Sequence, residues 1–281
     1  MILDSYELSN GLNIPKIGFG TWQTPDGDVA ESSVTHALKA GYRHIDTAAI
    51  YGNEESVGRA IKKSGIDRSE LFITTKLWNN NHSYEKAKLA IDESLAKLDL
   101  DYVDLYLIHW PNPVDLRPDF ATGNAESWRA MEEAVAEGKI KAIGVSNFHP
   151  HHIDALLKTA KIKPVVNQIF LNPSDMQPEI VSYCREKDIL LEAYSPLGTG
   201  KIFEVDRLKE LAAKYNKTVA QVVLRWSLQH GFLPLPKSVT ESRIKENIQV
   251  FDFELSEEDM ETIDQLRGTA GLALNPDETT F

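Results

Sequence analysis

The chain has 281 residues, 42% of them hydrophobic and 26% charged, which excludes wholesale disorder, collagen and a disulfide-stapled miniprotein. Acidic residues outnumber Lys and Arg by 42 to 30, a formal net charge of -12 that argues against nucleic acid as the main partner. No run approaches the ~18 consecutive apolar residues of a membrane span. The first basic residue, Lys16, follows Asp4 and Glu7 with no hydrophobic stretch between, and the only cysteine, Cys184, cannot form an internal disulfide. The expectation is a cytoplasmic chain with neither anchor nor signal peptide, a monomer by default.

In chain order, Tyr6 and Leu8 are separated from Leu12 and Ile14 by Asn10-Gly11, a two-residue hairpin signal read as a plug beneath the strands that lie beyond it. Eight β-rich runs come next: Ile17 to Gly20, Arg43 to Asp46, Phe72 to Lys76, Val103 to His109, Ala142 to Ser146, Val165 to Gln168, Leu190 to Tyr194 and Leu233 to Pro236. Helical patterns lie between them. In one, Ala87, Ile91, Leu95 and Leu98 are spaced to keep a single apolar stripe against a sheet. Asp28 with Glu31, and Thr218 with Gln221, have capping-box spacing. Two further helices, about Thr240 to Val250 and Ser256 to Leu266, precede a polar tail from Gly268 to Phe281.

Strands alternating with helices predict parallel β-α units, and eight of them in about 250 residues predict a closed (β/α)8 TIM barrel of the α/β class. The expected layout is one domain over 1–281: a hairpin plug over 1–16, the barrel over 17–250, and a C-terminal helix and tail over 251–281, so that two extra C-terminal helices follow the eighth strand. In such a barrel, chemistry belongs where strands end. Asp46, Lys76, His109, Ser146 with Asn147, Gln168, Tyr194 with Ser195, and Lys237 with Ser238 all stand there, and Tyr51 follows Asp46 by five residues. Any one of them is ordinarily a loop charge or a satisfied core group; several groups suited to proton transfer at consecutive strand ends are not. A free phenol has a pKa near ~10. An adjacent ammonium would lower it, and a carboxylate would compensate that ammonium. Asp46, Lys76 and Tyr51 can form such a chain, with His109 as a second donor, an apparatus for a carbonyl or an alcohol.

The stretches Gly41 to Glu54, Thr74 to Trp78, Leu105 to Pro111, Gly144 to Phe148 and Pro236-Lys237-Ser238 together resemble the aldo-keto reductases, in order and over nearly the whole chain. The short-tailed bacterial members similar to 2,5-diketo-D-gluconate reductases are the nearest type. The resemblance implies NADPH-dependent reduction of aldehydes and ketones, with Asp46, Tyr51, Lys76 and His109 as the catalytic tetrad and Tyr51 as proton donor. It implies a nicotinamide cofactor bound without a Rossmann fold. Gly18-Phe-Gly20 is not that fold's fingerprint, because Gln23 occupies the third glycine's place and Pro25 and Gly27 intervene before the helix.

By the same resemblance, Ser146, Asn147 and Gln168 meet the nicotinamide carboxamide and Tyr194 stacks on its ring. Ser195, Leu197, Gly198 and Lys201 belong to the loop crossing the pyrophosphate. Lys237, Ser238, Val239, Thr240 and Arg243 surround the 2'-phosphate, Glu246 and Asn247 meet adenine, and Gly20, Thr21, Trp22 and Asp46 complete the cofactor set. Trp22, Trp78 and Trp110, with Tyr51 and His109, are expected to wall a substrate funnel; no metal is expected. Phe170, Asn172 and Pro173 depart from the family's usual glutamate and His-Pro after the sixth strand. The short tail suggests an open pocket. Two other readings fit the strand-end residues: a phosphate-binding isomerase or lyase using Lys76 as a Schiff-base amine, and a cofactor-sensing regulatory barrel without catalysis.

Overall fold

The computed structural model describes residues 4–281, so the first three residues of the expected plug lie outside it. A hairpin of β1 (Ser5–Glu7) and β2 (Asn13–Pro15) comes first. Eight strands follow: β3 (Phe19–Gly20), β4 (His44–Asp46), β5 (Phe72–Leu77), β6 (Val103–Ile108), β7 (Ile140–Ser146), β8 (Val166–Phe170), β9 (Leu190–Tyr194) and β10 (Leu233–Pro234). Between them run α1 (Asp28–Ala40), α2 (Glu54–Ser64), α3 (Tyr84–Leu98), α4 (Phe120–Ala136), α5 (Pro150–Leu157), α6 (Pro178–Glu186), α7 (Asp206–Tyr215) and α8 (Val219–Gln229). After β10 come α9 (Glu241–Asn247) and α10 (Glu257–Asp264).

Strands β3 to β10 form one parallel sheet in chain order. It closes on itself where the Gly18 amide donates to the Pro234 carbonyl at 3.1 Å and the Gly20 amide to the Pro236 carbonyl at 3.0 Å. On the outside α1 packs against α9, the helices of the first and last units. The fold is therefore the (β/α)8 barrel. All eight strands lie within a few residues of their sequence-derived places, because inward and outward residues alternate with period two. On β5, Ile73 and Leu77 join the helix-facing core, Phe72 joins the interior core, and Thr74 and Lys76 follow Phe72 inward. Gly18 lets the interior close: a Cβ there would lie 2.5 Å from Leu235 Cδ2 and 2.6 Å from His44 Nδ1.

The hairpin stoppers the N-terminal end. Leu8 and Ile14 pack with Phe72, Leu105, Leu107, Val166 and Leu233. Its turn has three residues, not two. The Gly11 amide donates to the Leu8 carbonyl and the Leu8 amide to the Leu12 carbonyl, both at 2.8 Å. Asn10 Oδ1 accepts the Leu12 amide at 3.2 Å, and only Gly11, at φ 82°, takes the left-handed conformation.

Thr218 and Gln221 cap α8 reciprocally, whereas the capping box proposed at Asp28 is absent. Gly27, at φ 84°, is the N-cap of α1 and its amide donates to Ser56 Oγ at 2.8 Å. Glu31 turns outward to Arg59 and Lys63. The ten α-helices among the described residues are two more than eight units need. One surplus helix, α10, follows the barrel; the other, α7, lies between β9 and α8. Cys184 is fully buried, and burial pushes its thiol up to about 11. No helix among the described residues is long and apolar enough to cross a membrane.

Candidate active site

At the C-terminal rim of the sheet, β4 and β5 carry Asp46 and Lys76 on neighbouring inward positions. Lys76 Nζ donates to Asp46 Oδ1 at 2.7 Å, to the Thr47 carbonyl at 2.9 Å and to the Tyr51 hydroxyl at 3.3 Å. Tyr51 sits on a single 3-10 turn, Ala49–Tyr51, ended by Gly52 at φ 68°, which swings the phenol back over the strand ends. His109, one residue beyond β6, stands edge-on to Tyr51 and to Trp78, with ring centres 5.7 and 5.2 Å apart. The structure thus brings together all four residues of the expected tetrad.

Lys76 is wholly buried. Burial opposes its charge, but the Asp46 carboxylate and the Tyr51 phenol outweigh that and hold its pKa above the ordinary lysine value. Tyr51 departs from the sequence expectation. Burial raises its pKa, and although Lys76 pulls it down, the Asp46 charge behind the ammonium adds to the rise and the net shift is upward. The phenol is therefore held protonated, the state a proton donor needs. Burial, with Lys76 second, keeps His109 well below the ordinary histidine value and thus neutral. Its Nδ1 is enclosed without a partner, so Nε2 is the nitrogen open to the cleft.

Beneath this group lies a polar layer of which the strand-end reading included only Gln168. Gln168 Nε2 donates to Asp46 Oδ2 at 2.8 Å and to Glu192 Oε2 at 2.7 Å. Glu192 is fully buried, with His44 Nε2 3.9 Å from its other oxygen. Burial, with the Asp46 charge second, pushes its carboxyl up to about 8. His44 is pushed down to about 3 by burial and donates or accepts at Thr74 Oγ1, 3.0 Å away. The available signal was parity: in Leu190–Tyr194, Glu192 shares the inward face with Tyr194. Gln168 is consequently not a free amide. Both donors of its amide are spent downward, and it can offer only its oxygen to a group in the cleft.

Around the rim, the Ser146 hydroxyl donates to the Gln168 carbonyl at 2.8 Å, and Asn147 Nδ2 donates to the His109 carbonyl at 3.0 Å. The Tyr194 hydroxyl donates to Asn147 Oδ1 at 2.8 Å, so these three form one wall. Thr21 Oγ1 donates to the Asp46 carbonyl at 2.9 Å, and Gly20 pairs with Asp46 in register. Asn172 supplies its own turn after β8: its Oδ1 accepts the Ser174 amide and its Nδ2 holds the Ser195 carbonyl at 3.1 Å. The departure from the family pattern is thereby locally satisfied. Beyond Ser195 and Leu197, the loop is bent by left-handed Gly198, Thr199 and Gly200 and leads to exposed Lys201.

Lys237 Nζ donates to the Gln23 carbonyl at 3.2 Å between the neighbouring ends of β10 and β3. Ser238 Oγ accepts the Thr240 amide at 3.1 Å, and Thr240 itself makes no side-chain cap for α9, so this cluster is not accounted for by helix capping. Val239 and Arg243 are exposed, Asn247 is buried, and Glu246 accepts from the Thr218 hydroxyl at 2.8 Å.

The aromatic groups and the tail give a second correction. Trp22 is exposed on the rim. Trp78 and Trp110 meet Phe281, whose ring stacks on the first at 6.1 Å and stands edge-on to the second at 5.1 Å. The tail is pinned by Arg117 Nη2 donating to the Thr279 carbonyl at 2.7 Å and by Asn112 Nδ2 donating to Asp277 at 2.6 Å. Ser174 holds it further back through Gly268, Ala270 and Gly271. A short tail does not leave this side of the cleft open. It returns as a cover because Asn112 and Arg117, between β6 and α4, and the turn after β8 both offer it partners.

The geometry defines a class: a closed parallel barrel with a buried carboxylate, ammonium and phenol chain at its C-terminal rim, built to move a proton to or from an oxygen. The Aldo/keto reductase family model matches residues 16–267. Glyoxal reductase of Bacillus subtilis (strain 168) is 50% identical over 278 residues, 99% of this chain and 98% of that protein. Methylglyoxal reductase DkgA of Escherichia coli (strain K12) is 43% identical over 277 residues, 98% of this chain and 97% of that one. Among solved structures, an aldo/keto reductase from Brucella melitensis superposes with a TM-score of 0.88 at 47% identity, over 94% of this chain and 99% of that one. A Bombyx mori aldo-keto reductase in complex with NADP superposes at 0.87 and 38% identity, over 96% and 94% of the two chains. The chain belongs to the aldo/keto reductase family and is an oxidoreductase.

Proposed function

We propose that the protein reduces aldehydes and ketones with NADPH, and that small dicarbonyls of the kind named for its glyoxal and methylglyoxal reductase relatives are among its substrates. The observation that carries the mechanism is the buried Asp46–Lys76–Tyr51 chain, which ends on a protonated phenol. NADPH supplies the hydride when bound. The residues present suit it. Arg243, Lys237 and Ser238 give two cations and a hydroxyl for a phosphate monoester, in a chain that is otherwise acidic. Ser146, Asn147 and Gln168 have their own donors spent within the protein and offer acceptor oxygens to the N–H groups of an amide. The Ser195 to Lys201 loop brings glycines and a lysine to the pyrophosphate side.

Tyr51 holds its proton beside the carbonyl oxygen and releases it as negative charge develops there. Neutral His109 orients that oxygen through Nε2, a directional hydrogen bond that adds no positive charge. Lys76 favours the phenolate left behind, and Asp46 keeps the ammonium charged in an otherwise dry interior. Trp22, Trp78 and Trp110 form the apolar approach and exclude water from the reacting oxygen.

The Schiff-base reading fails on charge, because it needs a neutral Lys76 and the Asp46 contact holds the ammonium. A purely cofactor-sensing barrel would have no use for the protonated phenol. The test is consumption of NADPH and of NADH against glyoxal, methylglyoxal and a series of simple aldehydes. Turnover with NADPH on a small dicarbonyl is expected. Tight NADPH binding with no turnover of any carbonyl would contradict the reading and favour a sensor.

A further inference from the structure

Outside the cleft, four titratable side chains meet where the tail crosses the start of α5. His149, His151 and His152 come from one stretch of chain, and Asp277 comes from the tail. Asp277 Oδ2 lies 3.2 Å from His151 Nε2, and Oδ1 lies 2.9 Å from His152 Nε2. His152 Nδ1 accepts the His149 amide at 3.1 Å, so its Nε2 carries the proton and donates to Asp277. That bond fixes the tautomer of a buried ring and the tilt of the carboxylate, as outer partners do around metal ligands. One donor atom each from His149, His151 and Asp277 then lies within 4.8 Å of the other two.

We propose that His149, His151 and Asp277 form a site for a borderline transition-metal dication, Zn2+ foremost, that ties the C-terminal segment to α5. At zinc–ligand distances of about 2.0 to 2.2 Å, neighbouring ligand atoms of a tetrahedron stand roughly 3.3 Å apart. The His151 and Asp277 atoms are already at that separation, and the His149 atom lies within 4.8 Å of both. Two imidazoles and a carboxylate leave the fourth position to water. This donor set suits zinc, cobalt or nickel; magnesium and calcium require mostly oxygen ligands. The positive end of the α5 dipole works against a cation here, and the Asp277 charge offsets it.

Asp277 is four residues from Phe281, which covers Trp78 and Trp110. A bound metal would therefore hold the aromatic cover closed. That consequence rests on the proposed reading of the cleft as the carbonyl site, whereas metal binding does not.

The test takes the full chain stripped of metal with a chelator, titrates it with Zn2+ in competition with a chromophoric chelator, and follows hydrogen exchange over residues 268–281. One equivalent of zinc at micromolar affinity or tighter is expected, weakened roughly tenfold or more in His151→Ala and in Asp277→Asn. His36→Ala, which removes a half-buried histidine paired with exposed Glu241, should bind as the wild type does, and Mg2+ should not compete. Zinc should slow exchange of the tail in the wild type and not in His151→Ala. Equal affinity in all variants, or no binding, would overturn the site; zinc bound through these residues with unchanged tail exchange would overturn the tie. Slowed exchange with unaltered turnover of bulky carbonyls would uphold the site and count against Phe281 as a cover of the cleft.

Discussion

A carboxyl titrating at about 8 beneath an ion pair has a consequence for stability. Over the window between the ordinary glutamate value of about 4.3 and 8, the folded chain retains a proton on Glu192 that the unfolded chain has lost. Its contribution therefore falls as pH rises, by at most ~1.4 kcal/mol per pH unit. Glu192→Gln keeps the acceptor for Gln168 and removes the titration. Urea unfolding of both proteins from pH 5 to pH 8 should show the variant gaining on the wild type by a few kcal/mol; a gap that does not change with pH would contradict the buried neutral acid. Lys76 and Asp46 act as one unit on the Tyr51 phenol. Losing Lys76 leaves Asp46 as an uncompensated buried charge, so Lys76→Met and Asp46→Asn should cost turnover non-additively, the double variant losing clearly less than the product of the single losses. Simple multiplication of the two losses would mean that they act independently.

At the scale of the elements, the strands could be read from the chain because each carries its own period and its own bounding turn residues. The tetrad could be read because strand ends of a barrel share one face. Glu192 stood in plain sight inside Leu190–Tyr194, but its partner Gln168 is 24 residues away along the chain and Asp46, the other partner of Gln168, a further 122, and no local pattern encodes such contacts. The upward shift of Tyr51 was hidden for the same reason: the ammonium is visible in the sequence and the burial is not. The tail was read as polar and open because its anchors, Arg117, Asn112 and Ser174, lie in loops far from it along the chain. Phe281→Ala tests that element. Removing a ring that contributes about 0.5 to 1.5 kcal/mol against its aromatic partners should raise kcat/KM for a bulky aromatic aldehyde relative to glyoxal by roughly two- to tenfold. An unchanged ratio would show that the ring does not bound the substrate.

The whole molecule carries a net charge of -12 and must still attract a polyanionic cofactor, which places the burden on a few local cations. Arg243 can grip a phosphate through two parallel hydrogen bonds, which Lys237 with its single ammonium cannot. Arg243→Ala should weaken NADPH binding by about 1.5 to 3 kcal/mol and leave NADH almost unchanged, as measured by fluorescence quenching. Because the arginine is exposed, the preference should also shrink with added salt; equal losses for both cofactors would mean that Arg243 only supports α9. The central claim is that the buried chain exists to make Tyr51 the proton donor to a carbonyl oxygen. Its most direct test is the single-turnover rate of NADPH oxidation by Tyr51→Phe, with cofactor binding measured on the same preparation. Binding should be kept and the rate should fall by ~10²-fold or more; a near-normal rate on several aldehydes would contradict the account.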